Sequence, residues 1–232
     1  MGNIKTFLSV LTLMATFSVQ AEDFETKQSS EQLFASFNRC ELENGGAIRP
    51  CEIGYRTFGT LSENADNAVL VPTWFTGNTA DHSYLATKEI VDPSRYFVVI
   101  VDALGNGVSS SPSNSKTQSD GNFPFFGISD MVDSQYRLLT EVLGVKKLHA
   151  VLGLSMGGMQ AFEWSVRYPE FMAKTIAVIG TPKLPSFDIA LWETRNRLME
   201  LYRMCACDEA LEVLAGVGML GNMPGTLAVN TQ

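Results

Sequence analysis

Histidine is scarce in this chain, with His82 and His149 the two among 232 residues. Four cysteines complete a thin supply of soft ligands, and no segment gathers Cys, His, Asp and Glu at ligand spacing. A metal centre is therefore not expected. Basic clusters are missing too. Lys and Arg number 17 against 25 Asp and Glu, for a net charge of −8, which argues against nucleic acid or anionic membrane surfaces as partners. No apolar run reaches the roughly 20 residues a spanning helix needs. Gly105-Asn-Gly107-Val-Ser-Ser110 is the nearest approach to a dinucleotide loop. It ends in serine, and Pro112 with its polar neighbours is no helix start, so no cofactor is expected. Repeats, low-complexity tracts and signs of a second domain are absent.

The first segment that is present is not part of the fold. Lys5 precedes the short apolar run Phe7–Val19, and Gln20-Ala21 follows, with small residues at Val19 and Ala21. This describes a secretory signal peptide over residues 1–21. No cysteine follows the cut, which argues against a lipid anchor, so the mature chain is expected in the periplasm or outside the cell, with no membrane attachment. Residues 22–232 suffice for a single domain with a core of its own. Export permits disulfides. Cys40 and Cys51 flank the turn signal Asn44-Gly45-Gly46, and a hairpin there lets them face each other; free buried thiols are the alternative. Cys205 and Cys207 stand too close for an easy mutual bridge.

Along the chain, residues 22–35 read as a loose polar arm. Two strands surround the Asn44–Gly46 turn, the second ending near Phe58. Further strands are expected over Ala68–Val71, Tyr96–Val101, Leu148–Leu152 and Thr175–Ile179, and a short helix over Tyr84–Ile90. The segment Gly105–Pro124 is a long loop. Ser129 suits the N-cap of a helix over Asp130–Leu143, closed by Gly144. Val132, Tyr136, Leu139 and Leu143 recur there at helical spacing, which gives that helix one apolar face. Helices follow over Met156–Arg167, Phe187–Tyr202 and Asp208–Leu220. Strands alternating with helices predict an α/β fold with a doubly wound, mostly parallel sheet.

The stretch Val151-Leu-Gly153-Leu-Ser155-Met-Gly157-Gly-Met159 carries the chemistry. It reads as a buried strand, a Gly-x-Ser-x-Gly turn and a helix, the context of a nucleophile elbow. So sharp a turn demands small residues two before and two after the serine, which Gly153 and Gly157 supply. A helix starting at Met156 places free N–H groups and partial positive charge beside Ser155, and the Met156 N–H is the first candidate donor to an oxyanion.

Ser155-Met-Gly-Gly-Met-Gln-Ala-Phe-Glu-Trp164, with Tyr168-Pro-Glu170, closely resembles the homoserine O-acetyltransferase group of α/β-hydrolases. Ile53-Gly-Tyr-Arg-Thr-Phe-Gly59, Arg95-Tyr-Phe97, Leu104-Gly-Asn-Gly107, Asp130-Met-Val132 and Gln135 agree, so the likeness runs from about Phe37 to Gly180. The resemblance implies that Ser155 accepts an acyl unit from an ester or thioester and passes it to a hydroxyl. Phe75-Thr76-Gly77 matches the group's oxyanion loop and makes the Phe75 N–H the second donor. The helical region from about residue 185 matches the start of a cap, through which members of the group dimerise. Where the transferases carry asparagine and arginine for an amino-acid substrate, this chain places Trp192 and Asn196, with Arg195 or Arg197 one step away. The more apolar acceptor pocket, Pro72-Thr-Trp-Phe75 and export favour the ester-hydrolysing branch.

The resemblance also implies an acid and a histidine after the serine, following further strands. The sequence ends at Gln232 within the helical region and supplies neither. His149 precedes the elbow, and His82 matches no triad position of the group. A C-terminally truncated esterase of small acyl esters is the leading expectation. An O-acyltransferase is second, and a non-catalytic relic or binding module third. If the leader is read correctly, N-terminal sequencing of exported protein starts at Glu22, and an intact Met1 overturns that reading.

Overall fold

The computed structural model describes residues 31–205 and 207–221. The expected leader at 1–21 and most of the expected arm lie outside the described residues. Eight strands are described: β1 (Leu33–Phe37), β2 (Cys40–Glu41), β3 (Ala47–Ile48), β4 (Cys51–Phe58), β5 (Ala68–Pro72), β6 (Phe97–Val101), β7 (Leu148–Leu154) and β8 (Thr175–Val178). Helices α1 (Ile128–Arg137), α2 (Met156–Arg167), α3 (Ser186–Cys205) and α4 (Asp208–Gly221) complete the frame.

Six strands form one sheet in the order β1-β4-β6-β5-β7-β8, while β2 and β3 pair separately. The four strands from β6 to β8 are parallel, and β4 and β1 add an antiparallel edge. Every residue of β5 and β6 is buried, as runs of Val, Leu and Ile must be when both sheet faces are covered. On one face Leu70, Val99, Val101 and Val151 pack with Val132, Leu139 and Trp164 from the α1–α2 side. On the other, Val69, Val71, Val98 and Ile100 pack with Leu85 and Val91 from the β5–β6 connection. The chain passes from β5 to β6 on one side and then returns through α1 to β7 on the other. Strand order thus reverses at β5, and the crevice at such a reversal is where open α/β sheets place their sites.

Several local expectations are corrected. Leu33–Phe37 is no loose arm but a strand pairing antiparallel with β4, a partnership invisible in its own composition. The expected helix at 84–90 is a single 3-10 turn over Ser83–Leu85. Helix α1 begins at Ile128, and the Asp130 carboxylate accepts the Gly127 N–H at 2.7 Å. Ser129 instead donates to Glu43, so the cap is Gly127. The helix then loosens into a π-type turn over Leu138–Val142 before Gly144 stops it at φ +68°. The eighth strand ends at Val178, one residue early, because Ile179 turns to φ +49°.

Helices α1 and α2 are joined by more than apolar contact. Tyr136 stacks on Tyr168 at 4.1 Å, with Trp164 and Phe171 alongside. Asp133 receives two bonds from Arg167, at 2.8 and 2.7 Å, and a third from the Tyr168 hydroxyl at 2.8 Å. Burial, reinforced by that carboxylate, pushes the Tyr168 phenol up to about 12.

Both cysteine pairs are bridged, Cys40 to Cys51 and Cys205 to Cys207. The second departs from expectation: where α3 ends, the two Cα atoms come within 5.1 Å. The first ties β2 to the head of β4. Its loop is short, so Cys40→Ser with Cys51→Ser should cost about 3 kcal/mol of unfolding free energy, read by urea titration of the oxidised protein. No difference between variant and parent would mean that this loop needs no staple.

Candidate active site

Ser155 sits between β7 and α2 at φ +53° and ψ −120°, a region an L-residue occupies at a cost of roughly 1–3 kcal/mol. Two glycines permit the turn. A Cβ on Gly153 would overlap the carbonyl of Gly157, and a Cβ on Gly157 would overlap the Pro72 carbonyl at the end of β5. The Ser155 N–H is anchored on the Val178 carbonyl of β8 at 2.9 Å. The residue is half-buried, and no described residue hydrogen-bonds its hydroxyl. Met156 opens α2, so its N–H has no carbonyl one turn back to bond.

The second feature follows β5. Thr73 starts a segment whose Trp74–Gly77 turn is closed by the Gly77 N–H on the Trp74 carbonyl at 3.2 Å. Thr76 stands at φ +66°, as the third residue of a type II turn must. Phe75 occupies the second position; its ring is half-exposed, and its N–H donates to no described residue. The ring meets Trp192 of α3 edge-on at 5.0 Å, and Arg195 lies over the Trp192 face at 4.8 Å. The elbow and this turn thus come from adjacent strands β7 and β5, and both project at the carboxyl end of the sheet.

A buried polar chain links the two. Gln160 of α2 donates to the Thr73 carbonyl at 3.1 Å and to the Met156 carbonyl at 3.3 Å. Its carbonyl accepts from Gln135 of α1 at 2.5 Å, and Gln135 accepts from the Trp164 indole at 2.8 Å. Gln135, Gln160 and Trp164 are almost wholly buried. A second chain holds the far side of the turn. Asp102, buried at the end of β6, accepts from the Thr79 N–H, Gln32 and Asn106. Asn106 also donates to the Gly77 carbonyl at 3.1 Å. Sequence reading met Thr73, Asp102 and Gln160 only as parts of family-like segments, without their bonding roles, and passed over Thr79. Nothing in the local sequence signals which buried partners these polar groups find.

Neither histidine faces Ser155 as a base. His149 belongs to the opposite end of β7, where its ring nitrogen lies 3.0 Å from the Lys174 ammonium. Burial and that ammonium hold its pKa below the usual range. His82 is buried and bonded at both ring nitrogens. A separate open hollow of about 290 Å³ lies between Glu43–Asn44 and Phe125–Asp130. It includes no residue around Ser155, and its Asp130 carboxylate is held by the N–H groups of Glu43 and Gly127.

Residues 69–200 match the family described as alpha/beta hydrolase fold. A probable esterase of Corynebacterium glutamicum is 41% identical over 170 residues, covering 72% of this chain and 49% of its own length. A homoserine O-acetyltransferase of Leptospira biflexa is 34% identical, covering 68% and 47%. The crystal structure of an acetylester hydrolase from Corynebacterium glutamicum superposes with a TM-score of 0.68 at 38% identity, over 74% of this chain and 50% of that one. The chain therefore spans about half the length of the curated relatives it matches.

The Gln160 bridge has a measurable weight. Gln160→Leu strands the Thr73 carbonyl and the Gln135 amide in the core and should cost about 2–3 kcal/mol in urea unfolding. A loss below about 0.5 kcal/mol, the scale of an ordinary surface change, would mean these groups find other partners.

Proposed function

Because the chain belongs to the α/β-hydrolase fold family, we propose that Ser155 is the nucleophile of an acyl-transfer reaction, and that the reaction is hydrolysis of small acyl esters. The observation that carries this reading is the strained elbow itself. A half-buried serine is held at φ +53° where α2 begins, and the N–H groups of Met156 and, on the turn after the neighbouring strand, Phe75 donate to no described residue. In this reading Ser155 Oγ attacks the ester carbonyl carbon. The carbonyl oxygen gains charge and is met by the two N–H groups. Collapse expels the alcohol, which takes up a proton, and leaves an acyl-serine. Water then attacks that ester, releasing the acid and restoring the hydroxyl. The helix dipole of α2 favours the same negative charge. A base must remove the serine proton, and we assign it, with its acid partner, to none of the described residues. We further propose that the protein works after export and without a cofactor.

Relatives named as esterases and the apolar Phe75–Trp192 contact favour water or a simple alcohol as the partner of the acyl-enzyme. One observation favours the second reading, an O-acyltransferase acting on an amino-acid alcohol. Arg195 lies on Trp192 and offers a cation for such an acceptor's carboxylate.

The test pairs two assays. Ethyl acetate hydrolysis is followed by acid release, and homoserine acetylation by acetyl-CoA is followed by thiol release. In protein that also carries the base, hydrolysis should outpace transfer, and Ser155→Ala should abolish it, with a loss of at least about 10⁴-fold. Thioester-dependent acylation of homoserine that outruns hydrolysis overturns the preferred acceptor, and turnover untouched by Ser155→Ala overturns the nucleophile.

A further inference from the structure

His82 is fully buried in the segment that follows the Trp74–Gly77 turn. Its Nε2 lies 3.1 Å from the Trp74 N–H, and its Nδ1 lies 2.9 Å from the Asn78 carbonyl oxygen. The ring packs against the Trp74 indole at 3.6 Å between centroids. A backbone N–H can only donate and a carbonyl can only accept. The two contacts therefore fix one tautomer, with the proton on Nδ1 and a lone pair on Nε2. Both nitrogens are occupied, so the ring cannot take the Ser155 proton without giving up Trp74.

What the ring does hold is the residue ahead of Phe75. The peptide plane between Trp74 and Phe75 carries the Trp74 carbonyl and the Phe75 N–H, which in a trans peptide point in opposite directions. The carbonyl is fixed by the Gly77 N–H, so the Phe75 N–H is aimed away from the turn's interior. The plane on the other side of the Trp74 Cα is fixed by His82. With both flanking planes held, the two dihedrals of Trp74 are determined and the direction of the Phe75 N–H with them. Gly77 completes the fit, because a Cβ there would meet the Trp74 ring at 2.5 Å and His82 at 3.0 Å.

We propose that His82 is a positioning residue: neutral and protonated on Nδ1, it fixes Trp74 and thereby aims the Phe75 N–H at the oxygen that becomes negative when Ser155 attacks. This rests on the acyl-transfer reading above, but its geometry can be tested apart from turnover.

The first measurement is the ¹⁵N spectrum of the His82 ring in the wild-type chain at neutral pH. A protonated Nδ1 beside an unprotonated Nε2 is expected; an Nε2–H tautomer or an imidazolium overturns the proposal. The second compares His82→Gln, which keeps an acceptor near the Nε2 position, with His82→Leu, which does not. In His82→Leu the Trp74 and Phe75 amide signals should move, and hydrogen exchange of the Trp74 amide, which loses its acceptor, should quicken at least about tenfold. In protein that also carries the base, kcat on ethyl acetate should fall about 10²–10³-fold, the scale of a lost oxyanion donor, with KM little changed. His82→Gln should recover much of each effect. A folded His82→Leu whose Phe75 amide and kcat are unchanged leaves only packing and overturns the proposal. Burial holds the His82 pKa below 6.5, against the pull of the Asn78 bond and of Asp81 and Asp102. The stability it contributes is therefore present above pH 6.5 and lost as pH falls through the lowered value. His82→Gln should flatten part of that acid decline, with His149 supplying some of the rest. If Ser155→Ala leaves turnover intact, the acyl-transfer reading fails on kinetics, while the ring tautomer and the amide signals still decide where His82 directs Phe75.

Discussion

The close approach of β7 and α2 at the elbow is the constraint on which the rest of the site depends. The two backbones come so near at Gly153 and Gly157 that neither position has room for a methyl group. The same helix start touches the ends of two other strands. Gly157 lies against the Pro72 carbonyl of β5, and Gly158 lies against Gly180 just past β8. One turn of helix thereby fixes three strand ends relative to each other. The strain at Ser155 is roughly 1–3 kcal/mol. Trp164, on the same helix, is fully buried, and truncating a residue of that size costs about 3–5 kcal/mol. Packing of α2 on the sheet is thus enough to hold the serine where its own backbone preference would not.

Above the apolar sheet the protein places a layer of buried amides and hydroxyls. Such groups are costly when unpaired, at about 1–3 kcal/mol each, and nearly neutral when every bond is made. In the Trp164–Gln135–Gln160–Thr73 chain each side chain is bonded to the next, as are the groups around Asp102. Such a network penalises any displacement of its members, because one broken bond orphans two groups. That is a different contribution from apolar packing, which tolerates small slides. The network therefore governs how β5, β6 and β7 present their carboxyl ends, while the apolar core beneath governs stability.

How much of this was legible in the sequence depends on how local each feature is. The elbow was legible because its demands fall within five residues, Gly153 to Gly157. The central strands were legible because burial on both faces leaves unbroken runs such as Phe97–Val101. Strand β1 was not, since Leu33 and Phe34 are exposed and the strand exists only by pairing with β4. The start of α1 misled because Ser129 and Asp130 both suit a helix N-terminus, and only the structure shows the serine turned to Glu43. The role of His82 depends on the amide of Trp74, eight residues away. No spacing rule links a histidine to the N–H it will accept.

The Phe75–Trp192 contact joins the Trp74–Gly77 turn to α3, and in the proposed reactions Arg195 decides what kind of acceptor that junction suits. Its guanidinium rests on the Trp192 face at 4.8 Å, an attraction worth about 0.5–1 kcal/mol at a partly exposed site. A hydrogen bond to a carboxylate is worth about 1.5–3 kcal/mol. An acidic acceptor can therefore draw the arginine off the ring, whereas water or a neutral alcohol has nothing to offer it. With a neutral acceptor Arg195 stays stacked, Trp192 stays against Phe75, and their junction remains apolar. With an amino acid the same junction opens and gains charge. The two proposed reactions thus differ in this junction of the cap with the donor turn, and share the elbow unchanged.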